Sequence, residues 1–214
     1  MTVNQKVAGS IPALGAKLKT NNMSGLQKNQ NANATYVNIK EGALVVKTKD
    51  GILESYDSLE GVIEKVEFLT EQYEGKNIEK AKFYVNAIGE LFILQIKTNS
   101  GYFRGLCNSL ASSNAPKDML KIVPSLKKDD NGKPKSTCFV GQNGKFLKHA
   151  FTKENMGGLP DLDKVTFKGE VHYDNTKQID FWKNFLSDIY NTNPKVAEIE
   201  NIEDDEAYID DLPF

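Results

Sequence analysis

The strongest periodic signal in the chain lies between residues 62 and 97, where apolar and polar positions alternate with the period of two that half-buried strands require. Val62 to Tyr73 carries Val66, Phe68 and Thr70 on one face and ends in a Glu74-Gly75-Lys76-Asn77 turn. Ala81 to Ile88 sets Phe83, Val85 and Ala87 against Lys82, Tyr84 and Asn86. After a Gly89-Glu90 reversal, Leu91 to Lys97 sets Phe92, Leu94 and Ile96 against Ile93, Gln95 and Lys97. These three strands form a meander. The period then lengthens to 3.6: Phe103, Leu106, Cys107, Leu110 and Ala111 share one stripe, entered through Asn99-Ser100-Gly101 and stopped by Asn114-Ala115-Pro116, which predicts a helix of about three turns. Strand patterning returns at Met119 to Leu126, with Leu120 and Ile122 inward. After a polar loop over Lys127 to Ser136 come Thr137 to Val140 and Lys145 to Phe151, joined through the hairpin signal Gln142-Asn143-Gly144.

Strand, strand, strand, helix, strand, strand is the order of an oligonucleotide-binding (OB) fold, a five-stranded barrel with its helix between strands three and four. The expected fold is therefore dominated by β-structure, with additions at both ends. Thr35 to Tyr56, with turns at Glu41-Gly42 and Asp50-Gly51, reads as an N-terminal β-meander. Past the turn-rich Met156-Gly157-Gly158-Leu159-Pro160, Lys164 to Tyr173 reads as one more alternating strand. Gln178 to Tyr190 reads as an amphipathic helix with Asn175 as N-cap, Ile179, Trp182, Phe185, Leu186 and Ile189 on one side, and Asn191 to Pro194 as its stop. The ends are unlike this middle. Residues 1–33 are rich in Asn, Gln, Gly, Ser and Lys, the composition of a flexible arm, although patches around Val7 to Ile11 and Leu14 to Leu18 could dock or form a short helix. From 195 onward acids dominate and no packed structure is expected. The organisation is thus an arm over 1–33, a domain over 34–194 and a tail over 195–214.

Charge sharpens this division. The formal net charge of 214 residues is only −2. Residues 1–33 hold Lys6, Lys17, Lys19 and Lys28 and no acid, whereas residues 198–214 hold eight acids and no base. Without those eight acids the molecule would carry +6. No stretch has the length and hydropathy of a membrane span, no signal peptide is visible, and Cys107 and Cys138 are too few and too far apart for a disulfide framework. A soluble protein of a reducing, cytoplasmic compartment is expected.

The chain ends Ile209-Asp210-Asp211-Leu212-Pro213-Phe214. This resembles the terminal peptide of bacterial single-stranded DNA-binding proteins, in which aspartates precede an aliphatic residue, Pro and a final Phe; phage-encoded proteins of the same function also end in an acidic run and an aromatic. The resemblance covers these last six residues closely and the barrel only in element order, so a divergent, phage-encoded member acting in the host cytoplasm fits best. It implies that Phe214 enters a pocket on a replication, recombination or repair enzyme, that Leu212 and Pro213 give the peptide its shape, and that Asp210 and Asp211 steer it. It also implies that the acidic run competes with DNA for the barrel. An apolar Leu-Pro-Phe end argues against a mere solubilising charge run.

The polar side of the predicted barrel supplies a matching surface. Lys65, Tyr73, Lys82, Tyr84, Asn86, Gln95 and Lys97, with Tyr102 and Arg104 just after the third strand, offer rings for bases and cations for phosphates. Ordinary sheet surface has the same residue types, and the terminal peptide tips the reading towards single-stranded DNA. A recombination or annealing accessory protein on the same fold, or an acidic-tailed structural protein, are the alternatives. Catalysis finds little support: Cys107, Cys138, His149 and His172 lack metal-ligand spacing, and Gly141-Gln142-Asn143-Gly144-Lys145-Phe146 has its glycines too close and Phe where a phosphate loop needs Ser or Thr. No cofactor and no metal are expected; the number of subunits is open.

Overall fold

A computed structural model of the chain describes residues 34–190 apart from 130 and 168. The arm expected over 1–33 and the tail expected over 195–214, with its Asp210 to Phe214 peptide, lie outside the described residues. The elements in chain order are β1 (Thr35–Lys40), β2 (Ala43–Lys47), β3 (Leu53–Tyr56), β4 (Leu59–Tyr73), β5 (Lys76–Ala87), β6 (Glu90–Lys97), α1 (Gly101–Leu110), β7 (Met119–Lys128), β8 (Pro134–Gln142), β9 (Lys145–Phe146), β10 (Asp163–Phe167), β11 (Glu170–Asp174) and α2 (Thr176–Tyr190). Strand dominates, as the alternation predicts. No helix among the described residues is long and apolar enough to cross a membrane.

Nine strands form one open, mixed sheet in the order β3-β2-β1-β6-β5-β4-β7-β8-β9. β4 is the pivot. Its first four residues pair with β7, Leu59 opposite Ile122 through Val62 opposite Met119, while Val62 to Tyr73 pairs with β5 across a bulge between Ile63 and Lys65. A bulge adds a residue to one strand and bends it, which lets a single long strand serve two neighbours pointing in different directions. Closing this sheet into a five-stranded barrel would require β6 to meet β8. β6 instead holds β1 in parallel register, Thr35 to Val37 against Phe92 to Leu94, and α1 packs on β8. That approach depends on Gly105, where a Cβ would stand 2.6 Å from the Cys138 amide nitrogen. Both strands that closure would join are thus engaged elsewhere, and the N-terminal meander is an integral part of the sheet.

The inward set of the alternation is the core. Val66, Ala81, Phe83, Val85, Leu94 and Ile96 are buried together with Leu120, Ile122, Cys138 and Val140, and the stripe Phe103, Leu106, Cys107 and Leu110 of α1 covers them. α1 starts where Ser100 turns its hydroxyl back to accept from the Phe103 amide at 3.2 Å. α2 adds Trp182, Leu186 and Tyr190 to the same core, and Trp182 meets Phe151, Phe181 and Phe185 edge-on at centroid distances of 5.6, 5.0 and 5.8 Å. Asn175 does occupy the position before α2 and its carbonyl accepts from the Ile179 amide, but the side chain that caps the helix is Asp174, accepting from the Thr176 amide at 2.8 Å.

Two further expectations about strands are corrected. Lys164 to Tyr173 is not one strand but the hairpin β10–β11, Lys164 opposite Tyr173, because the chain reverses at Gly169 with φ +84°, a conformation glycine adopts freely. Lys145 to Phe151 pairs only over Lys145–Phe146; beyond it the chain leaves the ladder, and Asn108 on α1 holds the Phe151 carbonyl and amide, each at 2.8 Å.

Candidate nucleic-acid interface

Strand register decides which predicted residues share a surface. Lys65 lies opposite Tyr84, Tyr84 opposite Ile93, Lys82 opposite Gln95, and Asn86 opposite Leu91; Tyr73 and Lys97 fall on the same alternation. Seven of the nine residues therefore stand on the face of β4, β5 and β6 turned away from the core. Tyr102 and Arg104 do not join them. They sit on α1, on the opposite side of the sheet, where Tyr102 packs against the core and burial, countered in part by a hydrogen bond with the Gly42 backbone, pushes its phenol up; Arg104 is exposed. Helical phase separates them, because α1 shows Phe103 to the core and swings its neighbours to either side.

The lysines on this face alternate with glutamates, a pattern that a search for rings and cations passes over. Lys65 pairs with Glu67 and its Nζ also lies 5.2 Å from the centre of the Tyr84 ring, while the Tyr84 hydroxyl donates to Glu67. Lys80 pairs with Glu71, Asn86 donates to Glu64 at 2.8 Å, and Lys121 of β7 pairs with Glu60 at 2.8 Å. Burial alone would raise the Glu67 carboxyl, but hydrogen bonds from Lys65 and Tyr84 and the charges of Lys65 and Lys82 outweigh it and hold it below the usual range. By alternation, every carboxylate on this side of the nine strands comes from β4.

A second basic feature was hidden in the polar loop. The β7–β8 hairpin extends past its turn with Lys127 directly opposite Lys135, and with Lys128 and Lys133 nearby, all exposed and without an ion pair among the described residues. The turn itself is fixed by Asp129, whose carboxylate accepts from the Asn131 and Lys133 amides at 2.9 and 2.8 Å. Like charges placed across a ladder are unfavourable in the free protein. The signal available in the sequence was Lys127-Lys128 and Lys133-x-Lys135 on two strands that must pair.

The remaining candidates for chemistry are structural in character. Cys107 and Cys138 are buried, and desolvation raises both thiols, Cys138 to about 12, so neither is a thiolate at neutral pH. His149 stacks on Phe139, ring centres 6.1 Å apart, and burial followed by the charge of Lys135 lowers its pKa despite a hydrogen bond with the Cys138 backbone. Among the described residues no three His, Cys, Asp or Glu side chains converge as metal ligands. No protein-family model matches the chain, no curated protein matches its sequence, and no solved structure matches its fold.

Proposed function

We propose that the protein binds single-stranded DNA, largely without sequence preference, on the outer face of β4, β5 and β6, and that its C-terminal peptide recruits replication or recombination proteins. The observation that carries this reading is the register that gathers Lys65, Tyr73, Lys82, Tyr84, Asn86, Gln95 and Lys97 on one surface. Rings there can stack on any base, and lysines need only be near phosphates, so the surface suits an unpaired strand more than a duplex, whose bases are hidden. We read the pairing order β6-β5-β4-β7-β8, with α1 between β6 and β7, as an OB barrel opened by its N-terminal meander. The Lys127, Lys128, Lys133 and Lys135 finger then adds phosphate contacts at one end of the track. The terminal Asp210-Asp211-Leu212-Pro213-Phe214 supports recruitment, and the eight tail acids, tethered to a body of net +6, compete with phosphates at low salt.

A salt titration of oligo-dT binding, comparing the full chain with one ending at Ile202, tests this. The full chain binds oligo-dT more tightly than duplex of equal length, with affinity falling as salt rises, and the shortened chain binds more tightly at low salt. Absence of oligo-dT binding by both chains overturns the assignment; equal binding by the two removes the competing role of the tail.

A further inference from the structure

Resting on that reading, we infer that the DNA track does not stop at β6 but continues over the N-terminal hairpin, where Tyr36 is a second stacking ring and Lys40 and Lys47 are phosphate contacts. The sheet register brings these residues into one row. Lys65, Tyr84, Ile93 and Tyr36 are successive cross-strand neighbours on β4, β5, β6 and β1. The β1–β2 ladder, in which Val37 faces Val46, sets Lys47 beside Tyr36. Adjacent strands lie about 4.8 Å apart, so the Tyr84 and Tyr36 backbones are separated by about 10 Å. Ile93 between them is fully buried although it lies on the side away from the core, while Tyr36 is 44% exposed. Two rings thus stand on either side of a covered aliphatic position.

Charge points the same way. Among the described strands, the four glutamates on this face all belong to β4, and each already engages a lysine, a tyrosine or an asparagine. β1 and β2 bring Lys40 and Lys47 to the same face with no carboxylate by alternation, both exposed and without an ion pair among the described residues. A polyanion crossing from β5 over β6 to β2 therefore leaves the glutamates of β4 behind and meets Lys82 and Lys97, then Lys40 and Lys47, none with an ion pair among the described residues. The partner this fits is a single strand, whose bases reach the rings while its phosphodiesters reach the lysines.

The test uses the full chain and fluorescent oligo-dT. Tyr36→Leu keeps an apolar cover beside Ile93 but removes the ring, and Tyr36→Phe retains it; Lys40→Gln with Lys47→Gln removes two cations. Tyr36→Leu should weaken binding by about 5- to 150-fold, with Tyr36→Phe close to wild type. The lysine pair should reduce the slope of log affinity against log salt by about 1.4. Photocrosslinking of wild type to bromodeoxyuridine-substituted oligo-dT, mapped by mass spectrometry, should label the peptide containing Tyr36, a result no change in folding can imitate. If Tyr84→Leu weakens binding while the Tyr36 and lysine variants match wild type and no crosslink forms on β1, the extension is wrong and the β4–β6 site stands. If wild type does not bind oligo-dT, both fall.

Discussion

The β4–β5 and β7–β8 hairpins are neighbours in one sheet, both rich in lysine, yet they hold their charges in opposite ways. On β4–β5 the cations Lys65 and Lys80 pair with Glu67 and Glu71, and the Tyr84 hydroxyl is tied to the same Glu67. At the end of β7–β8, Lys127 faces Lys135 and no carboxylate side chain pairs with either among the described residues. The first arrangement is satisfied in the free protein, so an incoming phosphate must replace an internal partner. The second is unfavourable in the free protein and gains directly when a polyanion arrives. Lysine count alone would rank the two hairpins alike; the difference lies in whether a carboxylate stands within reach of each lysine. The core side differs too, since β5 carries the fully buried Phe83 whereas Leu126 near the end of β7 is 41% exposed.

The largest effect expected is on the core side. Phe83→Ala should destabilise the domain by about 3–5 kcal/mol, while Leu126→Ala should cost under about 1 kcal/mol, measured by chemical denaturation. Similar losses would mean that the β7–β8 hairpin is anchored as deeply as β4–β5. On the outer face the two hairpins should answer in opposite directions. Glu67→Gln removes the negative charge that pairs with Lys65 and should tighten oligo-dT binding by about fivefold, roughly 1 kcal/mol. Lys127→Gln with Lys135→Gln should instead weaken it and lower the salt slope by about 1.4, while raising the stability of the free protein by about 0.2–1 kcal/mol. Binding changes of the same sign in both variants would break the contrast.

Much of this was legible in the chain. The alternation over Val62 to Lys97 gave the three central strands and their faces, because a period of two leaves no choice once Val66, Phe83 and Leu94 must be inside. The 3.6-residue stripe placed Phe103, Leu106, Cys107 and Leu110 in the core. Long-range pairing was not legible. That β1 takes the edge of β6 in parallel, and that α1 packs on β8, depends on contacts between segments far apart in sequence, and local pattern carries no record of which strand pairs with which. The turn at Gly169 is masked in the sequence because Val165, Phe167, Val171 and Tyr173 maintain an apolar rhythm across it. Nearness in sequence to β6 suggests that Tyr102 and Arg104 share its outer face, but the chain changes side on entering α1.

The smallest effect concerns His149, which lies where the β7–β8 charge meets the aromatic packing of β8. Its pKa is lowered in the folded chain, first by burial and then by Lys135, and its Nε2 is buried without a hydrogen-bond partner among the described residues. A base with a depressed folded-state pKa favours the unfolded chain once protons begin to bind. Its contribution to stability is therefore complete above the ordinary histidine value of about 6.5, and it is lost as pH falls from there towards the folded-state pKa. Lys135→Gln removes the second cause and leaves the first, so it should shrink this loss without abolishing it, whereas His149→Phe should remove it. Both follow from melting temperatures compared at neutral and mildly acidic pH at fixed low salt. High salt should narrow the difference between wild type and Lys135→Gln, because the charge at the hairpin end is screened while the burial of the imidazole is not. A pH dependence unchanged by Lys135→Gln would show that the lysines act only on what binds from outside.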